Sequence, residues 1–334
     1  NANTTASNNT AVGLSALAAN TTGTQNVAVG SGALDAATTA NNNTAIGYNS
    51  LGANTTGHSN VAVGQGTLAL NTTGIYNTSV GKGALFENTT ANSNTALGYD
   101  ALALNTTGHS NVAVGSFALD AATTADQNTA VGVSSLSAAT TGQNNTGIGY
   151  QALKLVTTSG SNTAVGYQAL ENNTAAANTA VGSDALQANT TGTTNTALGS
   201  FALNANTTAN ENTAVGYAAM EENTTGLYNT ALGFKALEAN VSGERNTAIG
   251  RAALMLNSTS QNTAVGFNCL VDNTNGQYNT AVGSRAGKSN TTADYNVAIG
   301  TDALLNNTTG TANVAVGANA LDANTTANGN TAIG

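Results

Sequence analysis

Aliphatic side chains return at two fixed places in a seventeen-residue period that runs along all 334 residues of this chain. The first place lies in the pentapeptide Asn-(Thr/Val)-Ala-(Val/Ile/Leu)-Gly. It occurs twenty times, from Asn9-Thr10-Ala11-Val12-Gly13 to Asn330-Thr331-Ala332-Ile333-Gly334, with Ser79 and Gly147 standing in for the Ala. With its residues numbered slots 1 to 5, slot 1 is Asn and slot 4 is Val, Ile or Leu in all twenty copies. Slot 2 is Thr fifteen times and Val five times, a near-isosteric exchange that keeps the β-branch. Slots 6 and 7 vary and slot 8 is small. Slot 9, the second apolar place, is Leu except at Met220 and Gly287. A turn such as Asn-Thr-Thr-Gly closes the period.

Crowding by β-branched residues, Asn and Gly, with no 3.6-residue apolar spacing, argues against helix. The pattern predicts one five-residue strand per period, with Gly and Asn supplying positive φ at the corners. On this reading slots 4 and 9 form the core. The slot-3 Ala, which admits at most a small group, marks the close approach of another surface. Two intervals between the slot-5 glycines are sixteen instead of seventeen, ending at Gly182 and Gly266. Both deletions fall in the variable segment, at Asn173 to Asn178 and Asn257 to Asn262, as a loop would allow. A fixed short period with one apolar cluster per unit predicts a parallel β-solenoid of about twenty coils, in which each coil buries its face against its neighbours. The uninterrupted period makes residues 1–334 a single repeat-array domain. Because such arrays need atypical end units, the sequence reads as part of a longer fibre protein. The two large aliphatics of each coil offset only part of the cost of ordering it, so a second burial surface is expected. A homo-oligomer, most simply threefold, would supply one through the slot-3 alanines and slot 2.

Composition narrows the function. Charged residues are 7 % of the chain and the formal net charge is −9. Seven scattered Lys and Arg cannot neutralise a phosphate track, which excludes nucleic acid as a partner. No apolar run reaches the length of a membrane span. The strict register separates the chain from disordered Thr/Asn/Gly tracts, and the lack of Pro suits continuous ladders.

Catalysis needs unlike groups in one place, whereas a solenoid repeats like groups along a line. The sequence holds no nucleophile elbow, phosphate loop, metal-binding helix or paired-cysteine motif. It therefore predicts no enzyme, no catalytic or metal site and no cofactor. Cys269, the only cysteine, takes a slot-8 position and reads as a small buried side chain. His58 and His109 share one slot three periods apart and read as turn histidines. The scattered acids, among them Asp35, Asp120, Asp322 and the pair Glu221 and Glu222, read as solubilising surface groups. Aromatics keep to variable slots. Tyr48, Tyr99, Tyr150, Tyr167, Tyr217, Phe234 and Phe267 directly follow the slot-5 Gly. Such a stripe could stack on sugars, pack between chains or cover the core edges. The slot-1 Asn is either an axial amide ladder or a corner residue with positive φ. Turns such as Asn54-Thr55-Thr56 and Asn105-Thr106-Thr107 also match the N-glycosylation pattern.

Asn43-Thr44-Ala45-Ile46-Gly47-Tyr48 and Asn162-Thr163-Ala164-Val165-Gly166-Tyr167-Gln168-Ala169-Leu170 resemble the head repeats of trimeric autotransporter adhesins of the YadA type. They resemble still more closely the repeat arrays of tail-fibre-like proteins of phages and bacteria. The resemblance spans the chain, although the adhesin repeat is usually shorter. It implies a left-handed parallel β-roll, three chains side by side, in an extracellular fibre on a virion or cell. Three functions compete: a structural fibre segment that spaces or displays recognition elements, an adhesin head that binds carbohydrate, matrix or cell surfaces along the rod, and an ice-binding solenoid with Thr on a flat face.

Overall fold

The computed structural model describes residues 4–334 and contains strands and turns. It falls into two compact units, Asn1–Val165 and Gly166–Gly334. Each unit is a parallel β-solenoid. In the first, ten strands run from β1 (Thr10–Val12) to β10 (Thr163–Val165); in the second, ten run from β11 (Thr179–Val181) to β20 (Thr331–Ile333).

Within a unit every strand pairs in parallel with the next coil's strand, slot on slot. Thr10 lies opposite Val27 and Ala11 opposite Ala28 in the first unit, and Thr196 lies opposite Thr213 in the second. Strands are three residues long, slots 2 to 4, not the five the pentapeptide suggested. The slot-5 Gly leaves the strand because its φ is positive, 135° at Gly47 for example. A Cβ there would sit 2.3 Å from the carbonyl oxygen of Gly64 in the next coil. No other residue satisfies both demands.

The short strand reverses the inside and outside inferred from the sequence. Alternation along a strand puts slots 2 and 4 on one face and slot 3 on the other. It is the slot-3 Ala that points inward. Ala28, Ala45, Ala62 and their equivalents are buried in every coil but the first and last, whereas the slot-4 aliphatics lie outside, with Ile46 40 % and Leu97 47 % exposed. The core is therefore slot 3 with slots 8 and 9, and its narrowness explains why slot 3 admits nothing larger than Ser. Where Gly147 replaces the Ala, Ser135 of the preceding coil fills the space and donates to the Gly147 carbonyl at 2.8 Å.

Corners are built less from Gly and Asn than expected. The residue before slot 1 and the residues at slots 7 and 9 take positive φ through both units. The slot-9 Leu column lies near φ 50°, as at Leu34, Leu102 and Leu237. Branching at Cβ is penalised in that region, and Thr194 is the only β-branched residue to adopt it among those described. This accounts for Leu and Met at slot 9 where an apolar core alone would also accept Val or Ile. The slot-1 Asn is absent from the positive-φ set, which rules out its corner role.

Candidate functional site

Both units carry amides in their interior. The slot-1 asparagines are buried except at Asn9 and Asn330, which are half-buried, and they join one coil to the next. The Asn43 main-chain N–H donates to Asn26 Oδ1 at 3.0 Å, and Asn43 Nδ2 donates to the Gly57 carbonyl at 2.9 Å, closing its own coil. The link repeats from Asn9 to Asn162 in the first unit and from Asn178 to Asn330 in the second. It survives a shortened coil, where the Asn262 N–H reaches Asn246 Oδ1 at 2.9 Å.

Slot 12, the Asn of the Asn-Thr-Thr turn, forms a second column. Asn71 Nδ2 donates to Asn54 Oδ1 at 2.8 Å, and also to the Gly74 carbonyl at 3.1 Å. The first Thr of the turn adds a third, with Thr55 Oγ1 donating to the Thr72 carbonyl at 3.1 Å. Asn54 and Asn105, whose turns match the N-glycosylation pattern, are fully buried with Nδ2 bonded to the Gly57 and Gly108 carbonyls. The folded chain cannot present them to a glycosylating enzyme. The Asn of the turn serves interior hydrogen bonding.

The outer surface holds three distinct features. The first is the row of slot-2 and slot-4 residues, a half-buried to exposed aliphatic and threonine face on each unit. The second is an aromatic and cationic row on the second unit. Phe201 meets Tyr217 edge to face, Tyr217 stacks on Phe234 at 5.5 Å, and the Arg251 guanidinium lies over both Phe234 and Phe267. Tyr278 and Tyr295 form a separate stack at 4.9 Å. Many of the ring faces in this row are turned toward neighbours along the column. The third is a surface groove of about 390 Å³ on the first unit, between Gln65 and Leu104.

The remaining sequence candidates are dispersed. His58 Nδ1 lies 3.2 Å from Ser59 Oγ and its ring meets Tyr76 edge-on, while His109 Nε2 lies 3.5 Å from Asp126. Among the described residues no three His, Cys, Asp or Glu side chains are grouped as for a metal. Cys269 is buried, with Sγ against the Ala281 and Ala286 carbonyls, and burial pushes its thiol up to about 12. Asp120 departs from the solubilising role, since one carboxyl oxygen is buried without a partner and desolvation raises its pKa. Glu221 is raised by desolvation and by the neighbouring charge of Glu238. The Tyr99 hydroxyl is raised by its hydrogen bond to the Asp100 carboxylate.

No helix of the described residues is long and apolar enough to cross a membrane. Neither protein-family models nor curated proteins give a match to this chain. The class of molecule is thus defined by its fold, a parallel β-solenoid of tandem coils with an amide-lined interior.

Proposed function

We propose that the chain is a structural segment of an extracellular fibre or filament, of the phage tail-fibre-like or bacterial surface-fibre kind, that spaces or displays recognition elements. The observation that carries this reading is the continuity of the slot-1 ladder within each unit, where each successive coil is tied to the one before by the same amide bond, buried except at Asn9 and Asn330. A force along the solenoid axis is then shared by side-chain and main-chain bonds at each coil, and no coil depends on a unique residue. Such redundancy suits a part whose task is length and stiffness.

The outer slot-2 and slot-4 row supports assembly. Contiguous apolar surface of this kind marks interaction sites, and a second copy of the same chain offers a matching row. The side-by-side homotrimer, with a left-handed coil sense, is therefore proposed through slots 2 and 4 and not through the buried slot-3 alanines. Sedimentation at micromolar protein should give a trimer mass, and electron microscopy should show elongated particles. Compact monomers in both measurements would overturn the reading.

A further inference from the structure

The groove on the first unit lies where two consecutive coils lack a side chain at slot 7: the space beside Gly66 is open as far as the Phe86 ring, and the space beside Gly83 holds the Asp100 carboxylate. That slot is Asn49, Asp100, Phe117 and Ser134 in neighbouring coils but Gly66 and Gly83 here. The floor is a fixed main-chain ladder. The Gly66 N–H donates to the Tyr48 carbonyl, Gly83 to Gln65, and Asp100 to Lys82, at 2.9, 3.0 and 3.0 Å. Phe86 forms one wall, its ring 3.6 Å from where a Gly66 Cβ would lie. Tyr99 and Leu104 supply further apolar surface, and Gln65, Lys82 and Asp100 place an amide, an ammonium and a carboxylate around the same space. The Lys82 ammonium lies 5.8 Å from the centre of the Tyr99 ring.

We infer that this groove is a binding site for a neutral hexopyranose. Its volume of about 390 Å³ falls at the lower end of small-ligand pockets, which combine aromatic walls with a few placed polar groups. The apolar face of a sugar ring matches Phe86, beside Tyr99, whose own ring also meets Phe117 edge to face at 5.2 Å. The sugar hydroxyls can donate to Asp100, whose carboxylate already accepts from the Tyr99 hydroxyl and has further lone pairs to offer, and can accept from Lys82 and Gln65. An anionic ligand would meet Asp100 and a cationic one Lys82, so a neutral polyol is the class that fits both. The aromatic row of the second unit does not offer the same geometry, because many of its ring faces are spent on one another. This inference does not depend on the fibre reading.

The test is saturation-transfer NMR on the full chain with methyl glycosides of glucose, galactose, mannose and N-acetylglucosamine. At least one should bind in the millimolar range typical of a small shallow site, about 1–10 mM. The Gly66→Asn variant fills the groove without straining the backbone, since Asn49 occupies the same slot at φ 52°. It should keep the melting temperature and weaken sugar binding at least about tenfold. Phe86→Ala, at an exposed position, should weaken it too and provides a second test if Gly66→Asn fails to fold. Undiminished binding by both variants, or no binding of any glycoside to the unaltered chain at about 50 mM, would overturn the inference.

Discussion

The two units solve one packing problem with opposite imperfections. In the first, slot 9 is Leu in all nine coils from Leu17 to Leu153, but the slot-12 amide column is broken by Ala37, Ala122, Ala139 and Val156. In the second, slot 12 is Asn in all ten coils from Asn173 to Asn324, but the leucine column is broken by Met220 and Gly287. Three of these breaks leave a trace. Asn20 Oδ1 and Asn105 Oδ1, which face Ala37 and Ala122, are buried without a partner. A void of about 10 Å³ lies beside Gly287 between Leu270 and Leu304. The second unit also holds both sixteen-residue periods. There the lost residue is absorbed in the turn, where Asn173 and Asn257 donate to the carbonyl two residues on, Ala175 and Thr259, in place of the usual three. The cost appears one coil earlier, at the unpartnered Asn240 Oδ1. A solenoid of this kind tolerates a gap in either column because each coil is also held by the slot-1 ladder and the main chain.

Substitutions can separate the two columns. The largest effect should come from the apolar one: Leu119→Ala leaves a cavity in a narrow core and should cost about 3 kcal/mol by denaturant unfolding. In the second unit, Asn206→Ala removes the donor to Asn189 Oδ1 and the acceptor for Asn223 Nδ2. This should cost about 2 kcal/mol. Repair of the first unit is the sharper comparison. Ala37→Asn joins Asn20 to Asn54 and should stabilise local opening, read by hydrogen exchange, by about 1 kcal/mol. Ala122→Asn should gain little, because its own Oδ1 would then face Ala139. The smallest effect is the thiol. Cys269 is held protonated by burial, with its pKa raised from 9.0 to about 12. The folded state therefore binds the proton more tightly than the unfolded chain, and that stabilising contribution is lost as pH rises from 9 toward 12. Thiol reagents at pH 8 should label the folded chain far more slowly than the unfolded one.

Architecture and register were legible in the sequence because the period is strict and deletions keep to the turn. Orientation was not. Large aliphatics at slot 4 beside Ala at slot 3 read as core against contact surface, yet a coil interior of this width has room for Ala, a second small residue and one Leu, leaving the larger slot-4 side chains outside. The slot-12 Asn was equally misleading, since Asn-Thr-Thr-Gly has the composition of an exposed turn while its amide points inward. The invariance of slot 1 carried the right signal, and a second column of Asn at a fixed offset could have been read the same way. The positive φ at slot 9 has a faint signature, the lack of Val and Ile there. The groove is visible in retrospect as two successive glycines at slot 7.

The central structural claim is that slot 3 faces the core and slot 4 faces out. The most direct test compares Ala113→Leu with Val114→Leu, adjacent residues of the strand Val112–Val114, by equilibrium unfolding. Leu at position 113 overfills the interior and should cost about 3 kcal/mol or prevent folding. Leu at position 114, already the slot-4 residue at Leu97 and Leu198, should change stability by less than about 0.5 kcal/mol. A well-tolerated Ala113→Leu together with a destabilising Val114→Leu would contradict the account.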